Sequence, residues 1–104
     1  MLPLGGHTPG QLAVIVETGA ERIVLASDAI HFYEELRHDW PYSILANLEE
    51  TYQALETLRE LDATEGVRVI PGHDPIDFLQ HPQVRAEGEP FAVRLAVPSG
   101  IPVA

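Results

Sequence analysis

Two histidines and one aspartate stand where the chain can aim a side chain. His7 lies inside "GGHTPG" (residues 5–10), Asp28 inside "ASDA" (26–29) and His73 inside "PGHDP" (71–75). Glycine and proline at this density give turns whose backbone is set by sterics, so each of the two histidine turns holds out one imidazole. Imidazole nitrogen and carboxylate oxygen are ligands that zinc and other first-row divalent ions accept, and ligands on rigid turns lose little entropy on binding. Taken singly, each has an ordinary reading: a glycine-flanked histidine is commonly just exposed, and an aspartate after a strand commonly shapes a turn or caps a helix. The repetition of one turn device around both histidines favours a metal site.

The elements that must position these residues follow from the apolar pattern. "QLAVIVE" (11–17) and "RIVLAS" (22–27) are short β-branched runs separated by "TGAE" (18–21), which predicts an antiparallel hairpin buried on at least one face. The second strand runs straight into Asp28. From Ser43 to about Leu61, Leu45, Leu48, Tyr52, Leu55, Leu58 and Leu61 recur at three- and four-residue steps with acidic residues between them, the signature of an amphipathic helix. Pro41 precedes it, Ser43 is placed to cap it, and Gly66 follows its end. "VRVIP" then predicts a strand stopped at the Pro-Gly turn that carries His73. "FAVRLAV" (91–97) alternates as a further strand, and residues 98–104 read as a frayed tail. The fold class expected is α/β in the broad sense, of α+β type: a hairpin and further strands on an amphipathic helix, in a single domain over residues 1–104.

Composition narrows the function classes. The net charge of −10, with six arginines dispersed and no lysine, leaves no basic patch for nucleic acid or an anionic membrane surface. No cysteine is present, so thiolate zinc sites, disulfides and cysteine nucleophiles are excluded. No apolar run is long enough for a membrane span and the start does not read as a secretory signal, which makes the cytoplasm the default expectation.

With these residues in view, "GHTPGQLAVIV", "LASDA" and "VIPGHDP", in this order and with a helix between the last two, resemble the C-terminal half of a metallo-β-lactamase-fold hydrolase. The N-acyl homoserine lactonase-like branch is the nearest in kind, and "SDAIHFYEEL" adds to the likeness, which covers residues 4–82. The resemblance implies an αββα sandwich with two zinc ions, or iron, manganese or cobalt, at one edge. It makes His7 a ligand of the first ion, Asp28 the carboxylate bridging both and His73 a ligand of the second. Lactone or ester ring-opening by metal-bound hydroxide would follow, on a small-molecule substrate. It also points to His31 or Tyr33 as the group steadying the substrate carbonyl, and to Asp74 as a residue that orients the His73 loop by hydrogen bonds. His38, Asp39 and Trp40 read as an ordinary loop-to-helix junction.

The His-x-His-x-Asp-His motif that supplies most other ligands in such enzymes is absent from these 104 residues. The expectation is therefore a portion of a dinuclear hydrolase, inactive by itself and with partial or no metal occupancy. The alternative is a non-catalytic remnant or association module, docking through an exposed apolar half-fold surface to a second copy or to an N-terminal fragment.

Overall fold

The structure is a computed structural model and describes residues 1–41 and 45–95. The elements run β1 (Leu2–Pro3), β2 (Leu12–Glu17), β3 (Arg22–Ser27), α1 (Tyr33–His38), α2 (Leu48–Asp62), β4 (Val67–Pro71), α3 (Ile76–Gln80), β5 (Gln83–Ala86) and β6 (Glu89–Val93). This is the expected α+β mixture. The first four strands form one sheet in the order β1-β2-β3-β4, and β5 pairs with β6 in a separate two-stranded sheet.

The predicted hairpin forms, with Val14 opposite Leu25 and Val16 opposite Ile23. Its two strands differ in burial. β3 is central and buries Ile23, Val24 and Ala26, whereas β2 buries only Ala13 and leaves Leu12, Val14, Ile15 and Val16 between 37% and 40% exposed. The β-branched run thus describes β3 well and overstates the burial of β2.

The helix is shorter than its leucine pattern suggests. α2 starts at Leu48, where the Asn47 side chain accepts a hydrogen bond from the Glu50 N–H (2.9 Å) and Glu49 and Glu50 sit in the first turn. Ser43, expected as its cap, lies outside the described residues. The face that packs is Thr51, Ala54, Leu55 and Leu58, while Leu48 and Tyr52 are exposed. A small-residue stripe wins over two large apolar side chains because Ala54 and Thr51 let the helix approach the backbone beneath it. Leu55 and Leu58 join Leu4, Ala13, Val24, Ala26, Ile30, Leu36 and Val69 in one core between sheet and helices. Gly66, at φ +79°, makes the turn into β4.

The C-terminal strand is also displaced. It spans Glu89–Val93 and pairs with β5 across a two-residue turn, Glu87 and Gly88, both at positive φ. Residues 96 and 97 of the expected strand and the tail 98–104 lie outside the described residues. The short helices α1 and α3 and strand β5 were not foreseen, since none has the length to show a period.

Topology alone gathers the three turns. β3 and β4 pair in parallel, Val24 opposite Val69, so their C-terminal ends share one sheet edge; the α1 and α2 segment makes the crossover. β1 is antiparallel to β2 and β2 to β3, so the loop after β1 reaches that same edge. His7, Asp28 and His73 each follow one of these strand ends, in the crevice where parallel sheets place ligands.

Candidate metal centre

Each of the two histidine turns is locked by a glycine pressed against backbone. A Cβ on Gly6, whose φ is +132°, would lie 2.4 Å from Thr51 Oγ1 and 2.6 Å from the Thr51 backbone in the first turns of α2. The Gly6 carbonyl accepts from the N–H groups of Ala46 (2.7 Å) and Asn47 (2.9 Å), tying the His7 loop to the start of that helix. A Cβ on Gly72 would lie 2.5 Å from the Ser27 carbonyl oxygen. The glycines preceding the histidines therefore serve close approach as much as conformational freedom.

Asp28 is aimed by an irregularity at the end of β3. The β3–β4 register shifts between Leu25 and Ser27, and Ser27 takes the left-handed conformation at φ 53°. Such a bulge redirects the following side chain, and strain of this kind gathers at functional sites. Beyond it the parallel contact resumes: Gly72 N–H donates to the Ile30 carbonyl (2.9 Å) and His73 N–H to that of His31 (3.0 Å). This brings the His31 and His73 rings into a stack with centroids 5.0 Å apart.

The imidazoles divide between the two oxygens of one carboxyl group. His73 Nε2 is 2.8 Å from Asp28 Oδ1 and His31 Nε2 is 3.8 Å from that same oxygen, while His7 Nε2 lies 3.7 Å from Oδ2. The hydrogen bond from His73 holds the Asp28 carboxyl below its ordinary range, against partial desolvation, and His31 and His7 add to the lowering. His31 is buried and His73 is well exposed, so the group opens to solvent on the His73 side. Ligand atoms of Asp28, His31 and His73 all lie within 4.8 Å of one another, a spacing one cation can satisfy.

No family model and no curated relative matches the chain. Solved structures do match. An N-acyl homoserine lactone hydrolase with N-hexanoyl-L-homoserine at its catalytic metal centre superposes with a TM-score of 0.67 at 23% identity, over 86% of this chain and 35% of that one. The B. thuringiensis protein AiiA, as a variant with N-decanoyl-L-homoserine bound, gives 0.67 at 22%, over 86% and 35%. AidC, a dizinc quorum-quenching lactonase, gives 0.59 at 28%, over 72% and 26%. This is a partial metallo-β-lactamase-like lactonase fold. The chain spans about a third or less of the length of these structures.

Within this lactonase-like fold, the remaining expected residues are placed as follows. The Tyr33 hydroxyl donates to Asp77 Oδ1 (2.5 Å), and burial together with that hydrogen bond pushes its pKa well above the ordinary 10.0. Asp74 accepts from the backbone N–H of Tyr33 through Oδ2 (3.0 Å) and of Ile76 through Oδ1 (3.1 Å), joining the His73 loop to α1 and α3. His38 stacks on Trp40 with centroids 4.3 Å apart, and Asp39 ends α1 in a left-handed conformation. One buried residue escaped the sequence reading. Glu35 Oε2 accepts from the N–H groups of His31 (2.6 Å) and Phe32 (2.5 Å), and its Oε1 lies 3.6 Å from His31 Nδ1. A glutamate four residues after a histidine at a helix start is the signal that could have revealed it.

A cavity of about 480 Å³ lies elsewhere. Val16, Thr18, Ile23, Leu25, Val93 and Leu95 line it toward the opposite sheet edge, away from the imidazoles. The cleft beside His7, Asp28, His31 and Glu35 has only about 10 Å³, room for about one water. No helix among the described residues is long and apolar enough to cross a membrane.

Proposed function

We propose that this chain supplies half of the metal-binding edge of a dinuclear lactone hydrolase, with His7 and His73 as ligands on opposite oxygens of a bridging Asp28. The observation that carries this reading is the division of the two imidazoles between Oδ1 and Oδ2. A carboxylate has two oxygens and neutralises two cations a few ångströms apart, while each neutral imidazole fills one position without adding charge. The donor set fits zinc, and also iron, manganese or cobalt. Divalent ions held there would polarise a lactone carbonyl and lower the pKa of water.

The residues of this chain contribute orientation and charge. Gly6 and Gly72 fix the two imidazole turns, the bulge at Ser27 turns Asp28 to the rim, and Asp74 anchors the His73 loop. Tyr33 gives its hydroxyl to Asp77, which leaves His31 as the nearer of the two groups expected to face a substrate carbonyl. The substrate class we assign, an N-acyl homoserine lactone or similar ester, is supported by two matched structures that hold the ring-opened product N-hexanoyl-L-homoserine.

Mixing the chain with a separate polypeptide that carries the His-x-His-x-Asp-His half should restore zinc-dependent lactone hydrolysis, and His73→Ala should abolish it. Unchanged turnover in that variant would overturn the assignment. A second reading, a docking module without catalysis, draws on the apolar outer face of β2, where Leu12, Val14 and Val16 are each 40% exposed. It predicts a stable complex with the added half that hydrolyses nothing.

A further inference from the structure

His31 is the one buried member of the imidazole group, and its ring lies between two carboxyl groups. Nε2 faces Asp28 Oδ1 at 3.8 Å and Nδ1 faces Glu35 Oε1 at 3.6 Å. Glu35 is itself buried, 6% exposed, and its other oxygen is fixed by the N–H groups of His31 and Phe32. A histidine that ligates a metal through one nitrogen commonly gives its other N–H to a carboxylate, which sets the tautomer and ring orientation. Here a carboxylate oxygen stands 3.6 Å away on the Nδ1 side, while Nε2 faces the rim.

The spacing suits a shared ion. In a tetrahedral site with bonds of about 2.0–2.1 Å, neighbouring ligand atoms sit about 3.3 Å apart. The 2.8 Å and 3.8 Å separations of His73 and His31 from Asp28 Oδ1 straddle that edge, and the three ligand atoms lie within 4.8 Å of one another. Backbone hydrogen bonding between His73 N–H and the His31 carbonyl keeps the two rings together.

We infer that His31 is a metal ligand oriented by Glu35, so that Asp28, His31 and His73 form a three-ligand cation site contained wholly in this chain. The inference rests on the rim being a metal centre, and it goes beyond that reading in two respects. It moves His31 from the substrate to the ion, and it makes one of the two metal positions independent of any other polypeptide. Three protein ligands with one position open is the arrangement of catalytic zinc sites.

The test uses the chain itself, freed of metal with a chelator and titrated with zinc ion alone. Affinity is read by competition with a chromophoric chelator, and ligation by ¹H–¹⁵N correlation of the imidazole nitrogens. One tight equivalent is expected, with the His31 Nε2 resonance shifting on zinc addition. His31→Ala should weaken binding by at least about 10–100-fold and Glu35→Gln by about 10-fold, the scale of losing an oriented ligand or its support. An unshifted His31 Nε2 in zinc-loaded chain, or full affinity in His31→Ala while His73→Ala loses it, overturns the role of His31 and leaves the rim standing. Full affinity in both His73→Ala and Asp28→Ala overturns the rim as well. If His31→Ala does not fold, as judged by circular dichroism, the resonance shift in the unmodified chain decides.

Discussion

Two clusters in this molecule are built from the same residue types and reach opposite outcomes. At the rim, His7, His31 and His73 surround the single carboxyl group of Asp28. Beneath it, His81, Asp77, Tyr33 and Glu21 gather around Arg68. The Arg68 guanidinium donates to Glu21 Oε1 (2.8 Å) and to the Leu95 carbonyl, and contacts His81 Nε2 at 2.9 Å. His81 Nδ1 in turn pairs with the Asp77 carbonyl (2.7 Å), and the Tyr33 hydroxyl donates to Asp77 Oδ1. The lower cluster has its own permanent cation, the Arg68 guanidinium, which stays in place whether or not an ion is bound, although Asp77 Oδ2 and Arg68 Nε find no hydrogen-bond partner there. Among the described residues no arginine or lysine pairs with the Asp28 carboxyl group, and the imidazole nitrogens around it face a space that a divalent ion would fill. What separates a structural network from a ligand set here is the source of positive charge, not the count of histidines.

The largest expected effect breaks the comparison at its most unequal point. Asp28→Asn keeps the shape of the rim and removes the carboxylate that all three imidazoles face, so zinc affinity should fall by about 100-fold or more, given that losing an outer partner alone costs about 10–100-fold. Asp77→Asn, the matching change in the lower cluster, should leave zinc affinity unchanged and lower thermal stability instead. Zinc retained after dialysis and the melting temperature, measured on both variants, decide. Equal effects of the two on zinc would erase the distinction.

Next in size is Gly72→Ala, which acts on both clusters through the backbone they share. The new methyl would meet the Ser27 carbonyl oxygen at 2.5 Å and its carbon at 2.7 Å, and neither is a flexible side-chain end. β3 and β4 would have to part at their C-terminal ends, costing about 1–3 kcal/mol as for other overpacked positions. Since Asp28 and His73 sit on either side of that contact, zinc affinity should fall together with the urea midpoint. A loss of stability with unchanged zinc binding would show that the rim does not depend on this approach.

These variants also mark what the sequence could and could not disclose. The three turns were legible because each packs a rare combination, a histidine or aspartate among glycine, proline and strand residues, into a few positions. The hairpin and the long helix were legible through periodicity. The burial of α2 was not: Leu48 and Tyr52 fit the stripe as well as Leu55 does, and the close approach of Thr51 to the Gly6 turn favours the other face. α1 and α3, with six and five residues, are too short to carry a period and are stabilised by caps and tertiary contacts. Glu35 was hidden for a related reason, because a glutamate in a helix's first turn is ordinarily a solvated cap. It is buried at 6% exposure and caps the N–H groups of His31 and Phe32, a placement that the sequence pattern alone does not reveal.

A smaller effect sharpens the lower cluster alone. Arg68→Met keeps the aliphatic stem and removes the donors to Glu21 and Leu95. Charge-assisted hydrogen bonds are worth about 1.5–3 kcal/mol when buried, and with about a third of each side chain exposed the loss should be nearer 1–2 kcal/mol in denaturant unfolding. Zinc affinity should not change. A weakened site in Arg68→Met would mean that the network reaches the rim through Asp77, Tyr33 and Asp74.

The smallest effect is confined to high pH and isolates one bond of that network. The Tyr33 hydroxyl titrates above its ordinary 10.0 because burial and Asp77 both disfavour the phenolate. In the unfolded chain it ionises near its ordinary value, so between that value and the raised one the folded state binds more protons than the unfolded state. Stability from this group is therefore fully present below about pH 10 and declines as pH rises through the folded pKa. Screening of a half-buried group keeps the contribution below about 1 kcal/mol at about pH 11. Tyr33→Phe should lower the neutral-pH melting temperature slightly by removing the hydrogen bond, yet flatten the alkaline limb relative to the unmodified chain. The difference between the two slopes, not either absolute value, is the measurement. Parallel alkaline limbs would show that Tyr33 is solvated and that Asp77 holds the lower cluster through His81 alone.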